Sequence, residues 1–167
     1  MARRDFEVSI DDKAAYRAVR RLLATVDDLR PTLLRPLVYP ALLDAEREHF
    51  QSARFAPLSP KYAKWKSAHA PGKHILQNTG GLMASFTDEG ASRSGSGGGQ
   101  YKRFEKRRMA FGSTWPTAHL HQAGRGSRLP SRPPLAPYPI INKHLSDAYK
   151  QWTHDIEAEW RSADVRR

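Results

Sequence analysis

The chain has 167 residues, which is enough for one ordinary domain with its own core and too few for two independent ones. It has no cysteine, and this excludes disulfide frameworks, thiolate zinc sites and cysteine nucleophiles. The formal net charge is +11, and such a field attracts polyanions such as nucleic acid. A basic surface also serves solubility or meets an acidic neighbouring protein, so charge alone does not separate these interpretations.

No stretch of the sequence is long and apolar enough to predict a membrane span. The run Leu37–Leu43 is far shorter than the roughly 20 residues that a spanning helix requires. Residues 6–10 alternate apolar with polar side chains and do not form the continuous apolar core of a secretion signal. We therefore expect neither a membrane segment nor a signal peptide.

The N-terminal third shows one strand pattern followed by two helical patterns. The alternation at residues 6–10 predicts a half-buried strand. Apolar residues then recur at helical intervals over Ala15–Leu29, which predicts an amphipathic helix. A second helical pattern covers Leu37–Phe50, and Pro36 and Pro40 are expected to delay its start or to kink it.

The middle of the chain has weaker periodicity. Residues 55–81 are punctuated by proline and glycine, which predicts loops with one short helical turn at Lys61–Lys66. Residues 90–100 are rich in glycine and serine and indicate a flexible hairpin tip. The segment Tyr101–Gly112 has the pattern of a strand, and we expect it to pair with the segment near Phe86 as a hairpin.

The C-terminal part combines an irregular segment with a long helical pattern. Residues 124–139 contain five prolines and two glycines, which predicts an extended arm that packs poorly on its own chain. Large apolar residues recur at helical spacing from Ile141 to Trp160. The sequence as a whole predicts one α+β domain over residues 1–167, an antiparallel sheet with a hairpin, flanked by N-terminal and C-terminal amphipathic helices.

Candidate catalytic groups are sparse. His119 and His121 would point the same way on a strand, but no Asp or Glu lies between Glu105 and Asp147 to complete a hydrolytic metal site. Ser113 and the adjacent Thr114 lack an oxyanion motif or a strand-turn-helix elbow. We expect structural histidines, with no catalytic residue, metal or cofactor; a metal-dependent hydrolase built on the two histidines is the less favoured alternative.

A basic segment is the strongest charge feature of the sequence. The stretch YKRFEKRR at Tyr101–Arg108 mixes basic and aromatic residues, a composition that can contact phosphates and stack on bases. A basic edge also prevents unwanted strand pairing, which favours a solvated or intersubunit role. The candidate contacts with DNA or with another subunit are Lys102, Arg103, Lys106, Arg107 and Arg108.

An ordered set of motifs resembles the phage virion morphogenesis family, the tail-completion proteins of Mu-like and P2-like phages. The motifs are HILQNTGGLMASF at His74–Phe86, MAFGSTWPTAHLHQAG at Met109–Gly124 and LPSRPPLAP at Leu129–Pro137, preceded by PLS at Pro57–Ser59. Thr117, Ala123 and Pro134 replace residues that are usually aromatic in that family. The matching motif positions that we expect to be structural are Leu76, Thr79, Gly80, Leu82, Gly112, His121, Gly124, Arg132, Pro133 and Leu135.

The resemblance implies a non-enzymatic structural protein of a tailed bacteriophage. It implies a subunit of a homo-oligomeric ring, hexameric in our expectation, that surrounds the DNA channel between the head-side connector and the tail, as a neck protein or tail terminator. The expected partners are other copies of the chain, neck and tail proteins, and genomic DNA by non-specific contact. The expected location is the virion, after synthesis in the host cytoplasm. A basic nucleic-acid-binding module that uses residues 101–108 is the alternative function.

Overall fold

A computed structural model describes residues 12–52, 55–77, 80–87, 98–124 and 130–164. The strand predicted at residues 6–10 and most of the hairpin tip predicted at residues 90–100 lie outside these ranges.

The described residues form helices and one small sheet, which confirms the predicted α+β class with helices toward both ends. The elements in chain order are α1 (Asp12–Asp27), a π-helical segment (Arg30–Val38), α2 (Tyr39–Gln51), α3 (Pro60–His69), α4 (Gly81–Thr87), β1 (Gln100–Glu105), β2 (Arg108–Ser113), α5 (Ala118–Ala123) and α6 (Tyr138–Asp164).

The proline-rich start of the second helical pattern is wound more loosely than an α-helix. The amide of Leu34 donates to Leu29 O at 2.8 Å, and the amide of Tyr39 donates to Leu34 O, so these bonds span five residues. Pro36 lies inside this π-helical segment, and Pro40 lies in the first turn of α2, where no amide donor is required. The expected delay of the regular helix is confirmed, because α-helical winding begins at Tyr39.

Both strands of the hairpin come from the segment that was predicted to be a single strand, Tyr101–Gly112, with one more residue at each end. The predicted pairing of this segment with the region of Phe86 is wrong. β1 pairs antiparallel with β2 from Gln100 opposite Ser113 to Glu105 opposite Arg108, with Lys106 and Arg107 at the turn. Phe86 belongs instead to α4, whose consecutive side chains are nearly all buried. A short helix that is buried on all sides has no polar face, so its sequence shows no helical period and cannot be distinguished from a short buried strand.

The central core joins α2, α4 and the hairpin. Phe50, Phe55, Leu82 and Phe86 are buried together with Ala118. Partly buried apolar side chains enclose this cluster, namely those of Ile75, Leu76, Met83, Phe111 and Trp115. Helix α6 packs on the other side, against α2 and the π-helical segment. Within the described residues, no helix is long and apolar enough to cross a membrane.

The proline-rich arm packs on its own chain, which contradicts the expectation that it packs poorly. The described residues 130–137 form neither helix nor strand, and Arg132, Pro134 and Ala136 are buried while the residues between them are exposed. In an extended chain, alternate residues face the same side, so a short irregular segment can still bury one face. The described part of the arm therefore lines the domain, whereas residues 125–129 of the predicted arm lie outside the described residues and residues 138–139 belong to α6.

Replacement of Phe50 by alanine should lower the free energy of unfolding by about 3–5 kcal/mol, because the ring is fully buried in the central core and leaves a cavity. Denaturant titration followed by tryptophan fluorescence or circular dichroism measures this loss. Tyr138→Ala is the control, since that side chain is 75% exposed and its removal should change stability by only about 0.5 kcal/mol. Equal losses in the two variants would contradict this description of the core.

Candidate functional site

Arg132 connects three motif segments that are distant in the sequence. Its Nε donates to Ala56 O at 2.7 Å, and a terminal guanidinium nitrogen donates to Pro57 O at 2.6 Å. Its backbone amide donates to His121 O at 2.8 Å. The PLS segment, the segment around His121 and the RPPL segment therefore meet at one buried arginine.

Two side chains of α2 hold the same arm from the other side. Both carboxylate oxygens of Glu46 accept the backbone amide of Ala136, at 3.0 and 3.1 Å. The Nε2 of His49 lies 2.8 Å from Pro133 O, and because a carbonyl only accepts, this nitrogen must carry the proton. Glu46 and His49 are three residues apart on one face of the helix, as a shared role toward the arm requires.

Glu46 is a carboxyl group buried without a cationic partner among the described residues. Burial raises its pKa from 4.5 to about 8, and the hydrogen bond from Ala136 opposes this only in part. The group is therefore mainly protonated at neutral pH, which removes the cost of a buried charge. Within the described residues, no group of three or more metal-ligating side chains surrounds it.

The paired histidines do not converge. His119 and His121 lie on α5, where residues two apart point in different directions, so the condition for a shared ligand site on a strand is not met. His119 is exposed, whereas Nδ1 of His121 is buried without a hydrogen-bond partner in the described part of the chain. Burial, together with the nearby Arg132, lowers the pKa of His121 and favours its neutral form.

The remaining motif positions have local backbone or packing roles. Gly80 and Gly124 have φ values of 78° and 74°, which L side chains rarely adopt, and Leu76 has a φ of 65°. Gly112 lies within β2, opposite Tyr101.

Other motif residues differ widely in exposure. Leu82 is in the core, Pro133 is exposed but offers its carbonyl to His49, and Leu135 is 37% exposed. Thr79 lies outside the described residues. Ser113 has a structural role, because its hydroxyl lies 2.6 Å from that of Ser85 and accepts the amide of Trp115.

The basic segment divides between the two faces of the hairpin. Lys102 shares the inner face with Phe104 and Phe111, and its Nζ lies 4.7 Å from the centre of the Tyr39 ring and 3.2 Å from the Tyr39 hydroxyl. The Tyr39 hydroxyl also donates a hydrogen bond to the side-chain oxygen of Gln100. Lys102 therefore supports the packing of the hairpin on α2, unlike the other basic residues of the segment.

The other four basic residues are exposed and contact two carboxylates. Arg103 and Arg108 both contact Glu105, and the nearby cations lower the pKa of Glu105, mainly through the hydrogen bond from Arg108. Lys106 and Arg107 contact Asp27 at the end of α1, at 3.5 and 2.8 Å. Four cations and two anions leave this surface positive, and exposed pairs of this kind stabilise a protein only weakly.

The sequence interpretation missed Glu46 and His49, the two residues of α2 that hold the proline-rich arm. Glu46 lies in a helical pattern among other charged residues, and residue type alone does not distinguish it from Asp44 or Glu48. Residue type alone does not indicate that His49 is buried either. The available signal was their helical spacing relative to Leu43 and Phe50, which places them on or beside the buried face.

The Glu46 carboxyl should make stability depend on pH. Its folded-state pKa is raised from 4.5 to about 8, so its contribution is complete below pH 4.5 and is lost as the pH rises through 8. Each pKa unit corresponds to about 1.4 kcal/mol, so between about pH 5 and about pH 9 the wild type should lose a few kcal/mol relative to Glu46→Gln. Urea titrations of both proteins across this range measure the difference.

Glu48→Gln is the matched control, because Glu48 lies on the same helix and is partly exposed. The hydrogen bonds from Lys143 and His144 lower the pKa of Glu48, so its stabilising contribution is lost as the pH falls, opposite in direction to that of Glu46. If wild type and Glu46→Gln had parallel stability profiles, Glu46 would not be protonated by burial.

Comparison of the chain with models of protein families, with curated proteins and with solved structures finds no match. The resemblance to tail-completion proteins therefore rests on the ordered motifs in the sequence alone.

Proposed function

We propose that the chain is a structural subunit of a tailed-phage neck or tail-completion ring, without catalytic activity. The observation that carries the proposal is the hydrogen bonding of Arg132 to both Pro57 and His121. Residues that were matched to one family pattern from separate stretches of sequence are thereby direct neighbours in space. Their contacts are with backbone carbonyls of the same chain, as a role in building the subunit requires.

The distribution of polar groups supports a structural role. Arg132, Glu46 and His49 are buried and contact the backbone of the chain, so their hydrogen-bonding capacity serves the fold. A ring subunit needs surfaces for its neighbours, and several large apolar side chains are exposed on α1 and α6. Such a subunit acts through its shape and its interfaces.

A basic nucleic-acid-binding module remains a second proposal, favoured by the exposure of four cations on the hairpin. The side chains of Arg103, Lys106, Arg107 and Arg108 are each about two-thirds exposed or more, and their paired carboxylates neutralise them only in part. Phosphates could compete for these cations. Lys102 is also exposed, but its ammonium group contacts the hydroxyl of Tyr39.

The ring proposal predicts that the purified chain assembles into a closed oligomer of uniform size. Sedimentation velocity over a range of protein concentrations and negative-stain electron microscopy measure this directly. A chain that stays monomeric at high concentration, or that forms only open fibres, would contradict the proposal. Phage particles made without the protein should show separated heads and tails, or unstable tails.

The two proposals predict different results for Arg103→Ala combined with Arg108→Ala. Among the described residues, both side chains pair only with Glu105, so the fold and the ring assembly should be unchanged. A nucleic-acid module should instead lose affinity for DNA, with the salt slope reduced by roughly one for each phosphate contact removed. Fluorescence anisotropy with a DNA duplex at several salt concentrations measures both quantities.

Lys61→Ala combined with Lys64→Ala is the matched control, because both lysines are exposed on α3 and the change in charge is the same. Equal losses of DNA affinity in the two double variants would mean that net charge, and not the hairpin, attracts DNA. Loss of affinity in the hairpin variant alone would favour the nucleic-acid proposal.

A further inference from the structure

Helix α1 presents an apolar stripe that the described residues leave exposed. Tyr16, Val19, Leu23 and Val26 are 58%, 47%, 62% and 43% exposed. Their spacings of three, four and three residues place them on one face of the helix. Exposure of four large apolar side chains in a row is unusual for a surface that meets only water, so this face is suited to a partner.

The same helix carries an excess of positive charge. From Lys13 to Val26 it has four basic residues and no acidic one. The acidic residues that follow are already engaged, Asp27 with the hairpin turn and Asp28 with Arg30. Among the described residues, no carboxylate pairs with the three arginines of α1, which are Arg17, Arg20 and Arg21. Arg20 lies beside the apolar stripe, four residues after Tyr16 and three before Leu23, whereas Arg17 and Arg21 point to other sides of the helix. The partner of this face should therefore be apolar, with acidic groups opposite Arg20.

The C-terminal part of α6 has the complementary composition. The side chains of residues 157–162 are all exposed, which means that the helix extends past the core. Tyr149 and Trp160 are 57% and 46% exposed, and Ile156 lies partly buried between them. The stretch Asp155–Glu159 contains three acidic residues and no basic one. Glu157 lies 3.8 Å from Arg161, whereas Asp155 and Glu159 are four residues apart and lie together along one edge of the apolar face. This edge of α6 is therefore apolar and acidic, as the edge of α1 that carries Arg20 requires.

The lengths of the two surfaces also agree. At about 1.5 Å per residue, α1 is about 24 Å long, and the part of α6 from Tyr149 to Ser162 is about 21 Å long. Two helices of these lengths can pack side by side along nearly their whole extent.

We propose that α1 of one copy packs against the C-terminal part of α6 of the next copy. This inference rests on the proposed ring and identifies its interface. The two surfaces are different, so the contact is head-to-tail, and repetition of such a contact closes a ring when the rotation between copies permits. A lipid surface or a nucleic acid would suit the basic face of α1 alone, but neither suits the acidic end of α6, whereas a second copy satisfies both.

Charge reversal on either surface tests the interface. Arg20 is replaced by glutamate in the first variant, and Asp155 and Glu159 are both replaced by lysine in the second. These side chains are exposed, so each variant should fold, as circular dichroism will check. Each variant alone should need about a tenfold or higher protein concentration to assemble, because like charges then face each other.

A mixture of the two variants in equal amounts should restore assembly. In a head-to-tail contact, the new glutamate on α1 of the first variant meets the new lysines on α6 of the second, and Arg20 of the second meets Asp155 and Glu159 of the first. All contacts are then complementary when the two variants alternate. Sedimentation velocity of the mixture should show the wild-type species again, and mass spectrometry should show both variants in it.

An apolar variant and a charge control complete the experiment. Leu23→Ser should weaken assembly without loss of monomer stability, because the side chain is largely exposed in the single copy. Lys61→Glu changes the charge by the same amount as Arg20→Glu on another exposed surface and should leave assembly intact.

The outcomes separate this interface from the ring itself. If the wild type forms a ring but the charge-reversed variants assemble normally, or if their mixture is not restored, the interface is overturned and the ring proposal stands. If the reversed variants lose only binding to DNA or to anionic vesicles, the interface is likewise overturned. If the wild type never assembles, the ring proposal fails before the interface is tested.

Discussion

The fold depends on how the backbone N–H and C=O groups of the irregular arm, residues 130–137, find hydrogen-bond partners. One face of this segment is buried, and among the described residues no strand pairs with it. Its backbone polar groups therefore need partners from other elements. Prolines reduce the need, since they have no amide to satisfy. The backbone amide of Arg132 donates to His121 O in α5, and that of Ala136 donates to the Glu46 carboxyl group in α2. The carbonyl of Pro133 accepts a hydrogen bond from His49. The same contacts place the start of α6 beside α2.

Tyr39 has a comparable role for the hairpin. A two-stranded sheet is marginally stable alone, and here its inner face lies against a tyrosine at the beginning of α2. Phe104 and Phe111 contact this ring edge-on, Lys102 lies over it, and Gln100 bonds its hydroxyl. Arg35 of the π-helical segment lies over Phe104 from the other side. The loosely wound segment and α2 thus form one surface on which the hairpin rests.

The sequence predicted the elements that have strong periodicity and failed where contacts decide the structure. The long helices α1, α2 and α6 follow from apolar residues at helical spacing. The pairing of the hairpin did not follow, because a fully buried short helix and a short strand have similar apolar composition, and only the register in space separates them. The buried face of the arm and the role of Glu46 were also missed. Both depend on long-range contacts with α2, and local propensity contains no information about such contacts.

The attachment of the hairpin turn to the end of α1 has a mechanical consequence. Leu29 donates its amide to Lys106 O, and Asp27 lies in contact with Lys106 and Arg107, so the last turn of α1 is joined to the turn by backbone and side chains together. The strands lead from that turn to Tyr39 and the core. A displacement of α1 would therefore be transmitted to the hairpin turn, and the exposed side chains of Lys106 and Arg107 would move with the helix.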